Sequence, residues 1–412
     1  MTTEIRIDGE RLWQTLMRSA EIGPGKAGGL RRLVGTDEDK EIRDQFTEWC
    51  TEAGLTMSID QLGNMFARRA GTEDDLPPVT IGSHLDTQYA GGRFDGILGV
   101  LAGLEVVRTL NDHAIETRYP IEVINWTNEE GARFSPSMGP SGAFAGVFEA
   151  DFIANRADDD GFLQGEELER IGYRGPEPVG GRQLDSYFEL HIEQGPQLDA
   201  ERIPLGIVTG GYKSYGMHVD VRGRTAHAGP TPMNERKDAL VGASRVVVAV
   251  NDIGWKYHNT NGKTTCTRIV AWPNKPGIVS EWAQFSVDCR HPDRDMAAQM
   301  MAEIEQAIVE AADKANVEME IGTRWEFDGA NFAPELIDLM RKTAKDIGVP
   351  YKEMLSQAGH DAYHIAKVCP ATLIFSPCKD GITHNEEEDA ELELTEPAVN
   401  VLLQAVLARA NR

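Results

Sequence analysis

Two glutamates, Glu129 and Glu130, stand side by side in the stretch NWTNEEGARF, directly after the strand-like run IEVINW at 121–126. On an extended chain such neighbours point to opposite faces, but the rule relaxes where the backbone turns, as at Gly131. One carboxylate can then bind a metal while the other carries a proton. Both can equally be solvated loop charges in a chain with 66 acidic residues, so other residues must decide. In GSHLDT, His84 and Asp86 follow another strand-like run and share a face, which lets the carboxylate orient the imidazole. Asp95, in the Gly-rich GGRFDGILG, is either a helix cap or a bridge between two ions. His191 and Gln194 lie in ELHIEQGP, His360 in SQAGHDA, and His384 in GITHNEEED. Each alone fits a surface imidazole or a capping acid. Together His84, Asp95, Glu130, His191 and His384 supply three imidazoles and two carboxylates at or near strand ends. That is a nitrogen and oxygen donor set of the kind Zn²⁺ takes, with a position open to water in catalytic sites. Two ions about 3.5–4 Å apart can clamp a hydroxide. Glu129, beside the ligand Glu130, would then be the base.

The elements that must carry these residues are legible from periodicity. A strand at 79–83, an apolar helix at 100–110 and the strand at 121–126 read as an α/β unit with a largely parallel sheet, whose strand ends are where sites form. Helix-like pieces precede it at 10–20 and 38–54, and a polar, Gly-rich excursion follows at 151–185. Near residue 212 the character changes. Strands are expected at 215–223, 264–272, 284–290 and 317–321, with helices at 236–253 and 293–315 and Asp293 as an N-cap. This β-α-β-β-α-β order is ferredoxin-like. Helix/strand alternation then resumes, with a helix at 335–348 and a buried strand at 371–377. The expected division is 1–211 and 328–412 for one domain, with 212–327 inserted.

A chain of 412 residues with 41% hydrophobic and 26% charged residues has the balance of a soluble globular protein. The net charge of −25 argues against nucleic acid and anionic membrane as partners. No apolar run approaches a membrane span, and the N-terminus lacks the pattern of a signal peptide. Five scattered cysteines without a CxxC fit free, buried thiols in a reducing, cytoplasmic setting.

The blocks HLDTQYAGGRFDGILGVLAGLEV, TNEEGARF, ELHIEQGP, GRTAHAGPTPMNERKDAL and AGHDA…PCKDGITHNEEE resemble the amidase/hydantoinase/carbamoylase branch of the dinuclear-zinc, M20-type aminoacylase and peptidase superfamily. The resemblance runs from about residue 20 to the C-terminus. It implies an α/β fold, a zinc-aminopeptidase-like mixed-sheet catalytic domain with an inserted ferredoxin-like lid and dimerisation domain. It also implies two divalent ions, Zn²⁺ first with Mn²⁺, Co²⁺ or Ni²⁺ as alternatives. One would be held by His84, Asp95 and His191, the other by Asp95, Glu130 and His384. Asp86 would support His84, and Glu129 would be general base and then acid. His227, in the block AHAG, would reach the site of the partner subunit in a homodimer and stabilise the oxyanion. Gln194, Arg290 and His360 would contact substrate, Arg290 by a two-pronged grip on a carboxylate.

The chain also departs from that pattern. Where the branch carries a second, substrate-contacting asparagine, this sequence has Gly277, in PNKPGIVSE. Gln357 replaces a glycine before the AGHDA block, and Pro230 replaces a threonine after HAG. None of these is an inferred ligand, and all bear on substrate recognition. The activity expected is hydrolysis of a linear amide or ureido C–N bond in a small carboxylate-bearing substrate, foremost an N-carbamoyl-L-amino acid. The alternative is an allantoate-type ureide or another N-acyl or aryl amide. A non-catalytic binding homologue would be expected to have lost Glu129 or a ligand, and none is missing.

Overall fold

The computed structural model describes residues 5–412. Its strands in chain order are β1 Thr56–Ile59, β2 Met65–Arg69, β3 Val79–His84, β4 Ile121–Trp126, β5 Ser186–Ile192, β6 Leu205–Gly211, β7 Lys213–Arg222, β8 Lys263–Thr265, β9 Ile269–Trp272, β10 Trp282–His291, β11 Glu318–Phe327, β12 Tyr351–Ser356 and β13 Ala371–Ser376. The chain forms two compact units. One runs to Gly210 and resumes over Ala330–Arg412; the other is Gly211–Gly329.

The first unit is built on an eight-stranded sheet in the order β1-β2-β4-β3-β5-β13-β6-β12. Its centre, β4-β3-β5-β13, is parallel. The flanks are antiparallel, with β2 on β4, β1 on β2 and β6 on β13. Every residue of the central strands is buried. A sheet covered on both faces needs such runs of apolar residues, which explains why VTIGSH, IEVINW and ATLIFS read so clearly as strands. The helix Ile97–Asp112 is apolar almost all round and packs on β3, β4 and β5. The expectation of a largely parallel sheet therefore describes the centre only. The flanking strands β1 and β2 are four or five residues long and partly exposed, so their periodicity is too short to stand out.

The second unit is a fully antiparallel sheet in the order β11-β7-β10-β8, with β9 also on β10. The helices Ala239–Tyr257 and Arg294–Ala315 cover one face, where Val246, Val250, Met300 and Ile304 pack against Val219 and Phe285. Asp293 caps the second helix, its carboxylate accepting from the N–H groups of Asp295 and Met296. The single strand expected at 264–272 is two strands on one partner. Between them Arg268 pairs with Ser286 through both main-chain and hydroxyl contacts, and the ladder resumes at Ile269 opposite Phe285.

Candidate metal centre

Parallel strands present their C-terminal ends on one edge of a sheet, and chemistry collects there. His84 is the last residue of β3, His191 the penultimate residue of β5, and Glu129 and Glu130 follow the end of β4. After Trp126 the chain turns sharply, with Asn128 at φ +55° and Gly131 at φ +61°. The turn releases both glutamates from strand alternation, so that they face one centre. Glu129 Oε2 lies 3.6 Å from His84 Nε2, and Glu130 Oε2 lies 3.3 Å from His384 Nε2.

Asp95 stands between the two groups. Its Oδ1 is 3.1 Å from His191 Nε2 and 3.7 Å from His84 Nε2. Its Oδ2 is 3.4 Å from His384 Nε2. Two donor triads result, His84–Asp95–His191 and Asp95–Glu130–His384, sharing one carboxylate. The hydrogen bonds around the rings set their tautomers. The Nδ1–H groups of His84 and His191 donate to the carbonyls of Asp86 (2.9 Å) and Ile192 (3.0 Å). Each Nε2 is thereby turned to the centre, where that of His191 also meets the Gly96 N–H at 3.1 Å. His84 Nε2 is buried and makes no hydrogen bond, the state of a donor atom awaiting a cation. Gly96 makes room for this ring: its φ is +70°, and a Cβ there would lie 2.2 Å from His84 Nε2.

Asp86 supports His84 by a route other than the expected one. The main-chain carbonyl holds the imidazole. The carboxylate, 3.9 Å from Nδ1, instead accepts from the N–H groups of Glu129 (3.2 Å) and Glu130 (3.3 Å). One residue thus ties β3 to the glutamate turn. Gln88 fixes Glu130 further, donating to Oε2 at 2.8 Å.

Crowded acids at a buried site shift in predictable directions. Burial, then the charges of Asp361, Glu130, Asp86 and Asp95, push Glu129 well above the ordinary carboxylate range. Glu130 goes the same way through burial and Asp95, and burial raises Asp86 to about 7. For Asp95 burial acts upward, but His191, His384 and His84 outweigh it and hold the group well below 3.8. Burial pulls His191 down, yet Asp95 lifts it to about 9. Burial dominates at His84, which falls to about 4. Such opposed shifts in one place mark a functional site, and positive charge at the centre would bring Glu129 and Glu130 back down.

The remaining residues singled out in the sequence have mixed surroundings. Gln194, at φ +58°, donates to Asp95 Oδ2 at 2.9 Å. His360 is buried against His191, with ring centroids 4.5 Å apart and Nε2 3.2 Å from Ser356 Oγ. Gln357 is partly exposed just before it. In the second unit His227 is exposed, and its Nδ1 accepts from Gly229 N–H at 3.0 Å, which leaves the proton on Nε2. Arg290 forks onto Asp288, with Nε–Oδ1 at 2.7 Å and Nη2–Oδ2 at 3.0 Å. Gly277 has φ +86° and open space around the position of a Cβ. Pro230 is exposed. All five cysteines are free; Cys266 is partly exposed, the others buried. Among the described residues no helix is long and apolar enough to cross a membrane.

Three further acids pack around the centre; of these Asp361, next to His360 in SQAGHDA, stands out in the sequence, and Glu189 and Glu388 do not. Glu189 accepts from Ser83 Oγ, Tyr187 OH and Ala362 N–H beneath His191. Asp361 accepts from the Ser141 hydroxyl. Glu388 lies behind Asp95. Only alternation could have flagged Glu189, two residues before His191 in its strand.

An α/β unit with two histidine–carboxylate triads at the strand ends defines a class of metal-dependent hydrolase scaffolds. The chain belongs to peptidase family M20/M25/M40, whose pattern matches residues 80–408. It is 44% identical, over 98% of its length and 97% of the relative's, to an N-carbamoyl-L-amino-acid amidohydrolase of Rhizobium meliloti. It is 29% identical to an allantoate amidohydrolase of Bacillus subtilis, over 93% of both chains. Among solved structures, a hydantoinase/carbamoylase family amidase from Burkholderia vietnamiensis matches all of both chains with TM-score 0.97 at 46% identity.

Proposed function

We propose that this protein is a metal-dependent amidohydrolase that cleaves the ureido C–N bond of an N-carbamoyl-L-amino acid. What carries the reading is Asp95: its two oxygens face two separate donor sets, with the non-ligating Glu129 beside them. The Rhizobium relative acts on that substrate class by its name, and Glu129 with all five donors is present here.

The donor set fits two divalent ions, Zn²⁺ foremost, with Mn²⁺, Co²⁺ or Ni²⁺ as other occupants. His84, Asp95 and His191 would hold one; Asp95, Glu130 and His384 the other. Bound there, the ions polarise the scissile carbonyl and acidify water. Glu129 takes the proton of the attacking water. As the bond to the α-nitrogen breaks, Glu129 returns that proton to the nitrogen, releasing the amino acid. The carbamate left over decomposes to ammonia and carbon dioxide. Asp86 holds the glutamate turn and so aims Glu129. His227, with its proton on Nε2, is the oxyanion donor, and Arg290, oriented by Asp288, grips the substrate carboxylate. Gln194, His360 and Gln357 shape the substrate pocket.

The second unit holds the ferredoxin-like lid and dimerisation domain of this proposal, 212–327, inserted between the halves 1–211 and 328–412. Supporting it is an exposed apolar stripe on the helix Ala239–Tyr257, with Val241, Val248 and Trp255 at intervals of seven and 43%, 60% and 68% exposed. His227 would act across that dimer. Free thiols support a cytoplasmic setting.

Ammonia release from a panel of N-carbamoyl-L-amino acids, with Zn²⁺ or Mn²⁺ supplied, tests the proposal against a Glu129→Gln control. Turnover lost in the control is the expected result. Turnover confined to allantoate or N-acyl amino acids would favour the second reading, which Gly277 and Gln357 motivate.

A further inference from the structure

Among the buried acids that the proposed centre leaves without a task is Glu388. Three glutamates follow His384 in the sequence HNEEED, and they meet three fates. Glu386 reaches out to the main chain of Ala27 and Gly29. Glu387 is exposed. Glu388 is 1% exposed and fully engaged. Its Oε1 accepts from the N–H groups of Phe94 (2.8 Å) and Asp95 (3.0 Å). Its Oε2 lies 3.0 Å from Thr383 Oγ1, and the same hydroxyl lies 2.7 Å from Asp95 Oδ2. The turn before Asp95 is shaped around this carboxylate. A Cβ on Gly92 would stand 1.9 Å from the Glu388 carboxyl carbon, so any larger residue there would expel it.

We propose that Glu388 is a positioning residue that locks the Asp95 turn to the His384 loop and so builds the second of the two metal positions. The inference rests on the two-metal reading above. Its direction comes from the asymmetry of Asp95. Oδ1 faces His191 and His84, which the β-strands hold without help from Glu388. Oδ2 faces His384, and Oδ2 is the oxygen that the Glu388–Thr383 pair restrains. His384 itself needs an anchor. Its side chain is 47% exposed and its backbone sits at φ +51°, a conformation kept only where the surroundings impose it. Glu388, four residues on, ties that loop to the ligand it must meet. Loss of outer-sphere partners of this kind costs about 10–100-fold in metal affinity.

The test strips the full-length protein with a chelator and titrates it with Co²⁺. Bound metal is counted by equilibrium dialysis, and the ligand-field absorption is followed as each equivalent enters. Wild type should take two equivalents. Glu388→Gln, which keeps the volume, should bind the first with unchanged affinity and the second about 10–100-fold more weakly. Its turnover should recover as Co²⁺ is raised. Thr383→Val should shift the second equivalent in the same direction, and it decides the matter if Glu388→Gln fails to fold. Glu387→Gln should titrate as wild type. Two tight equivalents in both Glu388→Gln and Thr383→Val would overturn the assignment, as would equal weakening of both equivalents. A wild type that takes only one equivalent would instead sink the two-metal reading itself.

Discussion

At Glu129 and Glu130 the proposed division of labour rests on a few ångströms. Glu130 shares His384 as a neighbour and is pinned by Gln88, as a ligand should be. Glu129 faces His84 at 3.6 Å and belongs to neither donor triad. Replacing Glu129 by glutamine keeps size and removes the proposed base. The expected loss is about 10²–10⁴-fold in kcat, the usual share of general acid–base catalysis, with two metal equivalents still bound in equilibrium dialysis. A Glu129→Gln protein that lost its metal would show that Glu129 is a ligand instead. This pair shows what sequence can and cannot disclose. Their types and their place after a strand are visible in NWTNEEGARF. That Asp86 tethers both main chains is not, because a carboxylate at a strand end has several possible partners and only the folded register of β3 beside β4 selects one.

At the scale of elements, the buried parallel strands and the helix Ile97–Asp112 were legible because double-sided burial demands unbroken apolar runs. The flanking strands were not, since β1 and β2 are four and five residues long and partly exposed, and most of β12 is not buried. The break between β8 and β9 was hidden because TTCTRIVAW carries no turn residue; the ladder slips by one residue between Thr265 opposite Asp288 and Ile269 opposite Phe285, where Thr267 and Arg268 meet the Ser286 hydroxyl. The same scale holds a sharp test at the junction of the Asp95 turn with its helix. Gly96→Ala places a methyl group 2.2 Å from His84 Nε2 at a φ of +70°. The backbone cost alone is of order 1–3 kcal/mol. Thermal unfolding should move down accordingly, and metal titration should show the His84 equivalent weakened. An alanine variant with wild-type metal affinity would mean that His84 is not a ligand.

For the whole molecule, the centre makes stability depend on pH when metal is absent. Above pH 6.5 His84, lowered to about 4, is neutral folded and becomes neutral unfolded, so it drops out. Asp86 and Glu388, raised to about 7, and His191, raised to about 9, hold protons in the folded state that the unfolded chain has released. Asp86 and Glu388 lose their contribution as pH climbs from the ordinary carboxylate range to about 7, and His191 loses its own between about 6.5 and about 9, at about 1.4 kcal/mol per proton per pH unit. The Tm of chelated protein should fall between pH 6.5 and 9. Saturating Zn²⁺ should flatten the curve, because bound cations replace those protons. A chelated protein whose Tm rises over this range would contradict the pairing of His191 with Asp95.

The proposed dimer gives the last test, because a site completed from two chains can be divided between them. In a closed two-fold dimer each site would draw Glu129 from one chain and His227 from the other. Glu129→Gln and His227→Ala homodimers should each be nearly inactive, His227→Ala by about 10²–10³-fold for loss of an oxyanion donor. Unfolded together and refolded as a mixture, they form heterodimers carrying one intact site and one doubly altered site. Random pairing makes half the dimers mixed, so activity should return to roughly a quarter of wild type. The same protocol with Val248→Glu in both chains, which places a charge on the apolar stripe of the helix Ala239–Tyr257, should give monomers by light scattering and no recovery. Recovery absent from dimers that do exchange subunits would place His227 in its own chain's site or outside the chemistry.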